Sequence, residues 1–100
     1  MIVDVNVPSS ATATLVLAAP AAGYRDWVAI TNHGNATVYY SVDGSADVTI
    51  ANGVKAGIPL VAGATHFLSR SAGSPSSNFG PVYVVQTSGA SQEVSVQYLP

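Results

Sequence analysis

Val3, Val5 and Val7 alternate with Asp4 and Asn6 at one end of the chain, and Val94, Val96 and Tyr98 alternate with Glu93, Ser95 and Gln97 at the other. A period of two places successive side chains on opposite faces of an extended strand, so each run has one apolar face and one polar face. Between the ends lie "ATATLVL" (11–17), "RDWVAITN" (25–32), "ATVYYSV" (36–42), "DVTIA" (47–51), "GIPLV" (57–61), "THFLS" (65–69) and "PVYVVQT" (81–87). All are short, rich in Val, Thr, Ile or aromatics, and bounded by Gly, Pro, Asn, Asp or Ser. No segment combines helical periodicity with caps. The Ala-rich "AAPAAG" (18–23) is interrupted by Pro20 and Gly23 and reads as a connection. Eight or nine strands at this spacing predict an all-β fold, a β-sandwich, jelly roll or small barrel, and the first two are preferred: a single-domain antiparallel β-sandwich or jelly roll of about eight strands over residues 1–100.

Punctuation refines the picture. Asp43-Gly44 and Asn52-Gly53 supply residues that tolerate positive φ, as tight hairpin turns require, and Ala62-Gly63 makes a similar bend. "SRSAGSPSSNFG" (69–80) is a long irregular stretch, either a loop ordered by a partner, with Arg70 and Phe79 as anchors, or a disordered tip. "WVAITNHGNATVYYSVDG" (27–44) reads as two strands around Asn32-His33-Gly34-Asn35. A three-residue loop at 33–35 would pair Asn32 with Ala36, Ile30 with Val38 and Val28 with Tyr40 on one face. Thr31/Thr37, Ala29/Tyr39 and Trp27/Ser41 would then share the other. A two-residue loop would mix apolar groups over both faces, because a one-residue slip exchanges them. The odd loop is preferred, with Asn35 or Gly34 left-handed. Val28, Ile30, Val38 and Tyr40 then point inward, and Trp27 and Tyr39 are offered to a partner.

Composition narrows the function. Charged residues are 8% of the chain and sum to −2, against about 25% charged residues in an ordinary soluble domain. They are scattered, so no basic patch exists to neutralise phosphates, and a nucleic-acid partner is not expected. Hydrophobic residues reach 48%, and so apolar a chain folds rather than staying disordered. So little charge protects poorly against self-association, which suggests a surface covered by protein partners. The 12 serines and 7 threonines could instead solubilise it. No apolar run is long enough for a membrane helix. "MIVDVNV" lacks the basic start of a secretory signal, so synthesis in a cytoplasm without export by the general secretory route is expected, and the Asn35-Ala36-Thr37 sequon then reads as idle.

Candidate chemistry is thin. There is no cysteine, and His33 and His66 stand alone, too few for zinc. Asp43-Gly44-Ser45-Ala46-Asp47 begins like a calcium loop, but Val48 occupies the glycine position and Val54 that of the closing glutamate. Neither a nucleophile elbow nor a phosphate loop occurs, and five scattered acids do not make a glycosidase pair. Neither an enzyme nor any metal or cofactor is expected. The aromatics Trp27, Tyr39, Tyr40, Tyr83 and Tyr98 read as core or interface residues, with sugar binding by exposed rings as the rival.

"WVAITNHGNATVYYSVDG", "NGVKAGIPLVAGATHFLS" and the closing "GPVYVVQTSGASQEVSVQYL" together resemble small all-β structural virion proteins of tailed bacteriophages, of the head decoration (cement) or head-fibre type. The resemblance covers most of residues 25–99 and carries no catalytic or binding motif. It implies a symmetric homo-oligomer, with a trimer favoured, seated on a capsid lattice, located in the virion and assembled in the host cytoplasm. The expected partners are then the major capsid protein or other virion proteins, with no nucleic acid and no membrane. Candidate contacts, read from the residues themselves, are Trp27, Tyr39, Arg70 and Phe79, with the 69–80 loop and the two terminal strands. The alternative is a carbohydrate- or receptor-binding β-sandwich module of a fibre or tail.

Overall fold

A computed structural model describes residues 1–20, 25–42, 49–51, 54–69 and 81–98. Ten strands occur among them: β1 (Ile2–Val7), β2 (Ser10–Leu17), β3 (Trp27–Asn32), β4 (Val38–Ser41), β5 (Thr49–Ala51), β6 (Val54–Ala56), β7 (Ile58–Leu60), β8 (Thr65–Ser69), β9 (Val82–Gln86) and β10 (Gln92–Tyr98). Eight of them form two four-stranded antiparallel sheets, ordered β1-β10-β3-β8 and β2-β9-β4-β7. The remaining two form the ribbon β5-β6, paired from Thr49↔Ala56 to Ala51↔Val54, as the Asn52-Gly53 turn predicts.

The pairing runs from the ends of the chain inward: β1 with β10, β2 with β9, β3 with β8 and β4 with β7. One long folded ribbon has thus been rolled so that successive pairs enter alternate sheets, and the β10–β3 and β9–β4 ladders seal the roll. That is the jelly-roll arrangement of a two-sheet sandwich. The sequence expectation of an antiparallel sandwich or jelly roll of about eight strands therefore holds.

Both sheets turn their alternating apolar positions to a shared core: Val7, Val16, Val28, Ile30, Val38, Tyr40, Leu60, Val82, Val84, Val94 and Val96. Most are valines, whose branched Cβ is stiff and suits a pleated surface, and each side chain removed from water contributes roughly 1.5–3 kcal/mol. Tyr40 is the largest of them. It crosses from the second sheet to the first, where its hydroxyl meets His66 Nδ1 at 2.8 Å and its ring meets the imidazole edge-on. Arg25 is also buried; its guanidinium donates to the Ala18 carbonyl and lies 5.3 Å from the centre of the Tyr98 ring. Burial draws its pKa below the ordinary value.

The hairpin expected at 32–36 is not formed. Ile30 pairs with Val96 and His66, while Val38 pairs with Leu60, so β3 and β4 lie in different sheets and residues 33–37 form a corner between them. The facing of the strands is nevertheless as expected, with Val28, Ile30, Val38 and Tyr40 all fully buried. Gly34 is not left-handed; among the described residues the positive-φ glycines are Gly57, Gly63 and Gly89.

Candidate functional site

Three fully or almost fully buried carboxamides organise the corner and its neighbouring turn: Asn32, Gln86 and Gln92. Asn32 Nδ2 donates to the carbonyls of Ala36 (2.8 Å) and Leu60 (3.0 Å), tying the end of β3 to the opposite sheet. Its Oδ1 accepts from the Gly34 amide at 2.9 Å, an Asx turn that steers the chain out of the first sheet. Gln92 Oε1 accepts from the amides of Asn35 (2.7 Å) and Ala36 (3.2 Å), while its Nε2 donates to Asn35 Oδ1 and Ser88 Oγ, both at 3.1 Å. Gln86 Nε2 donates to the carbonyls of Val7 and Ala90, and its Oε1 accepts from the Ser88 amide and hydroxyl. Backbone groups at a corner cannot use ladder partners, and an unpaired buried one is costly. Side-chain amides, which donate and accept at once, fill that gap.

Gly34 is required here by close approach. A Cβ on it would stand 1.8 Å from Gln92 Oε1 and 2.8 Å from Gln92 Cδ. The absence of a side chain is what lets the glutamine reach both turn amides.

Beside this network the surface opens into a depression of about 390 Å³ lined by Asn6, His33, Gly34, Asn35, Ala90, Ser91, Gln92 and Glu93. His33 Nε2 is 2.8 Å from Ser95 Oγ. A serine against an imidazole has the parts of an activated nucleophile. Ser95, however, is only 5% exposed, and among the described residues no carboxylate hydrogen-bonds the ring. The pair packs the sheet face and presents no reachable hydroxyl. Among the described residues no group of three or more His, Asp or Glu side chains could hold a metal.

The two outer sheet faces differ. On the first sheet, cross-strand rows run Ile2-Gln97-Ala29-Phe67 and Asp4-Ser95-Thr31-Thr65, followed by Asn6-Glu93 beside His33. The face thus grades from an apolar end, with Ile2 63% and Phe67 64% exposed, to the polar depression. Trp27 belongs to the apolar end and stacks on Phe67 with ring centres 5.6 Å apart. Thr31 and Thr65 join hydroxyls at 2.8 Å between the two zones. On the second sheet, β5 lies against β2 and β9. There Val85 is fully buried although its neighbour Val84 already takes the inward position.

These positions revise the expected contacts. Trp27 and Tyr39 are both half-buried and stand on the outer faces of opposite sheets, so the shared patch drawn from the hairpin register does not exist. Phe67, unmarked in the sequence reading, is the exposed aromatic beside Trp27. Arg70 and Phe79, with residues 70–80 of the long stretch, lie outside the described residues, as does Asp43-Gly44.

The eight-strand sandwich, closed at one end by an amide-pinned corner, defines the class of this protein as an all-β jelly-roll domain. The chain matches no known family model, and neither a curated protein nor a solved structure is significantly similar to it.

Proposed function

We propose that this chain is a non-enzymatic structural protein that works as a homo-oligomer on a larger protein assembly, of the capsid decoration kind that its sequence resembles. The observation that carries this reading is the apolar end of the first sheet's outer face. Ile2 and Phe67 are each more than three-fifths exposed there, beside the half-buried Trp27, on a chain with 8% charged residues. A stacked aromatic pair on a sheet face makes a rigid anchor that loses little conformational freedom on docking, and such anchors dominate protein interfaces. Jelly rolls recur as building blocks of viral shells. The partner in this reading is a capsid lattice, and the mechanism is added burial across neighbouring subunits, on the order of 1,600 Å² per contact of ordinary size.

Light scattering on the purified chain, followed by co-sedimentation with expanded phage capsids, tests it. The reading expects an oligomer, trimeric in its favoured form, that pellets with capsids and raises their melting temperature. It also expects Phe67→Ser to weaken both association and pelleting. A monomer at high concentration that leaves capsids unchanged overturns it.

A further inference from the structure

We propose that the depression between the 33–35 corner and the 88–91 turn is a binding site for a neutral saccharide. This is a second function that does not depend on the assembly reading.

Its wall carries side-chain polar groups that the fold does not use. Among the described residues, the Glu93 carboxylate, the Asn6 carboxamide and the Ser91 hydroxyl have no side-chain partner. Asn35 commits its Oδ1 to Gln92, and His33 commits only Nε2 to Ser95. The Nδ2 of Asn35 and the second ring nitrogen of His33 therefore remain available. A carboxylate accepts from two hydroxyls at once, carboxamides both donate and accept, and vicinal sugar hydroxyls need both roles within a few ångströms. The imidazole adds a flat face for ring C–H groups.

The shape and the charge select against other ligands. Sites for drug-like molecules are mostly apolar and enclosed, whereas this one is open and lined largely by polar residues. An anion would meet Glu93, with Asp4 on the same sheet face. A divalent cation would find a single carboxylate to offset its charge, and among the described residues no group of three or more His, Asp or Glu side chains could hold one. A polyhydroxylated neutral ring, part of which stays in water, is the remaining class.

The site is also set before any ligand arrives. Gln92, Asn32 and Gln86 already satisfy the backbone of both turns, so binding need not order them, and ordering is a major cost of association. Asn6 and Glu93 lie at the polar end of the first sheet's outer face, away from Ile2 and Phe67. An oligomer formed through the apolar end would leave the depression open.

The test is amide chemical-shift titration of the intact chain with galactose, glucose, mannose and N-acetylglucosamine, using N-acetylneuraminic acid as the anionic control. At least one neutral sugar should give saturable shifts confined to residues 6, 33–35 and 90–93, with a Kd on the order of 1 mM, as suits a shallow site for one ring. Glu93→Ala and Asn6→Ala remove exposed groups and should leave the melting temperature unchanged, while each weakens binding about tenfold. Phe67→Ser should leave the titration as it was, which separates this site from the assembly surface. Absence of saturable shifts with every neutral sugar overturns the proposal. So does stronger binding of the anionic control, or binding that survives the double substitution.

Discussion

Gly34→Ala and Gln92→Ala should be strongly non-additive. In the native chain the new Cβ would lie 1.8 Å from Gln92 Oε1 and 3.0 Å from Gln92 Cβ, so the glutamine must leave its place. With it go the acceptor for the Asn35 and Ala36 amides and the donor to Asn35 Oδ1 and Ser88 Oγ. Two backbone donors left without a partner cost about 1–3 kcal/mol each when buried, and at this partly exposed corner water recovers some of that. The expected loss is about 2–4 kcal/mol, or roughly 10–20 °C in Tm for a chain of this size. Gln92→Ala loses the same hydrogen bonds and a buried stem, about 3–5 kcal/mol. Once Gln92 is shortened, the obstacle to a Cβ at position 34 is gone. Gly34 has ordinary φ, so alanine there should then be neutral or stabilising by up to about 1 kcal/mol. The double variant is expected to be no less stable than Gln92→Ala, a coupling of about 2–4 kcal/mol in magnitude. Urea unfolding followed by far-ultraviolet circular dichroism, with the slope m checked for constancy, measures all four corners of the cycle. Additivity within about 0.5 kcal/mol refutes the claim that Gly34 is there to admit Gln92.

Tyr40→Phe removes the cross-sheet bond to His66 and should cost about 1–2 kcal/mol in the same assay. Burial pushes the Tyr40 phenol above the ordinary 10.0. The unfolded phenol therefore ionises first, so its contribution is intact below pH 10 and is lost as pH rises from there through the folded pKa; the phenylalanine variant should show a shallower alkaline decline. Asn32→Asp keeps the shape but turns a carboxylate oxygen toward the carbonyls of Ala36 and Leu60. It should destabilise by about 3 kcal/mol at neutral pH and recover in part below pH ~4, where the acid protonates and can donate; equal loss at both pH values would count against this. Phe67→Ser should alter the fluorescence of the single tryptophan, Trp27, which it stacks against, with little effect on Tm because Phe67 is mostly exposed.

The strands and their inward faces were legible because alternation is a local property. Val28, Ile30, Val38 and Tyr40 point inward whether β3 and β4 are neighbours or not. The partner of each strand was not legible at the corner, since Asn-His-Gly-Asn suits a hairpin and a sheet-to-sheet crossing equally well. What decides is Gln92, 57 positions away, together with the reach of Asn32 to Leu60. One signal could have exposed this. Asn32, Gln86 and Gln92 all fall in the inward phase of their strands, as does His66. A polar residue in that phase at a strand end is a residue with a buried task, and it marks where backbone will need partners. The Trp27 and Tyr39 patch failed for the same reason as the hairpin, because its only basis was the pairing.

Valine could have closed the core at this end, and three amides stand there instead. Buried amides are tolerable only when their hydrogen bonds are made, and here Asn32 makes three, Gln92 four and Gln86 four. A fully satisfied network of this kind has few alternative arrangements, so it fixes both turns more firmly than apolar packing would. The fixed turns form two walls of the depression, and Asn6, His33, Asn35, Ser91 and Glu93, each with a polar group the fold leaves unused, line it. Rigidity and unused polar capacity therefore coincide at the polar end of the first sheet's outer face, while exposed apolar area gathers at the other end. The two ends differ in chemistry, one apolar and exposed, the other polar and fixed. Substitutions should separate them cleanly: Phe67 should govern association, and Glu93 the response to sugar.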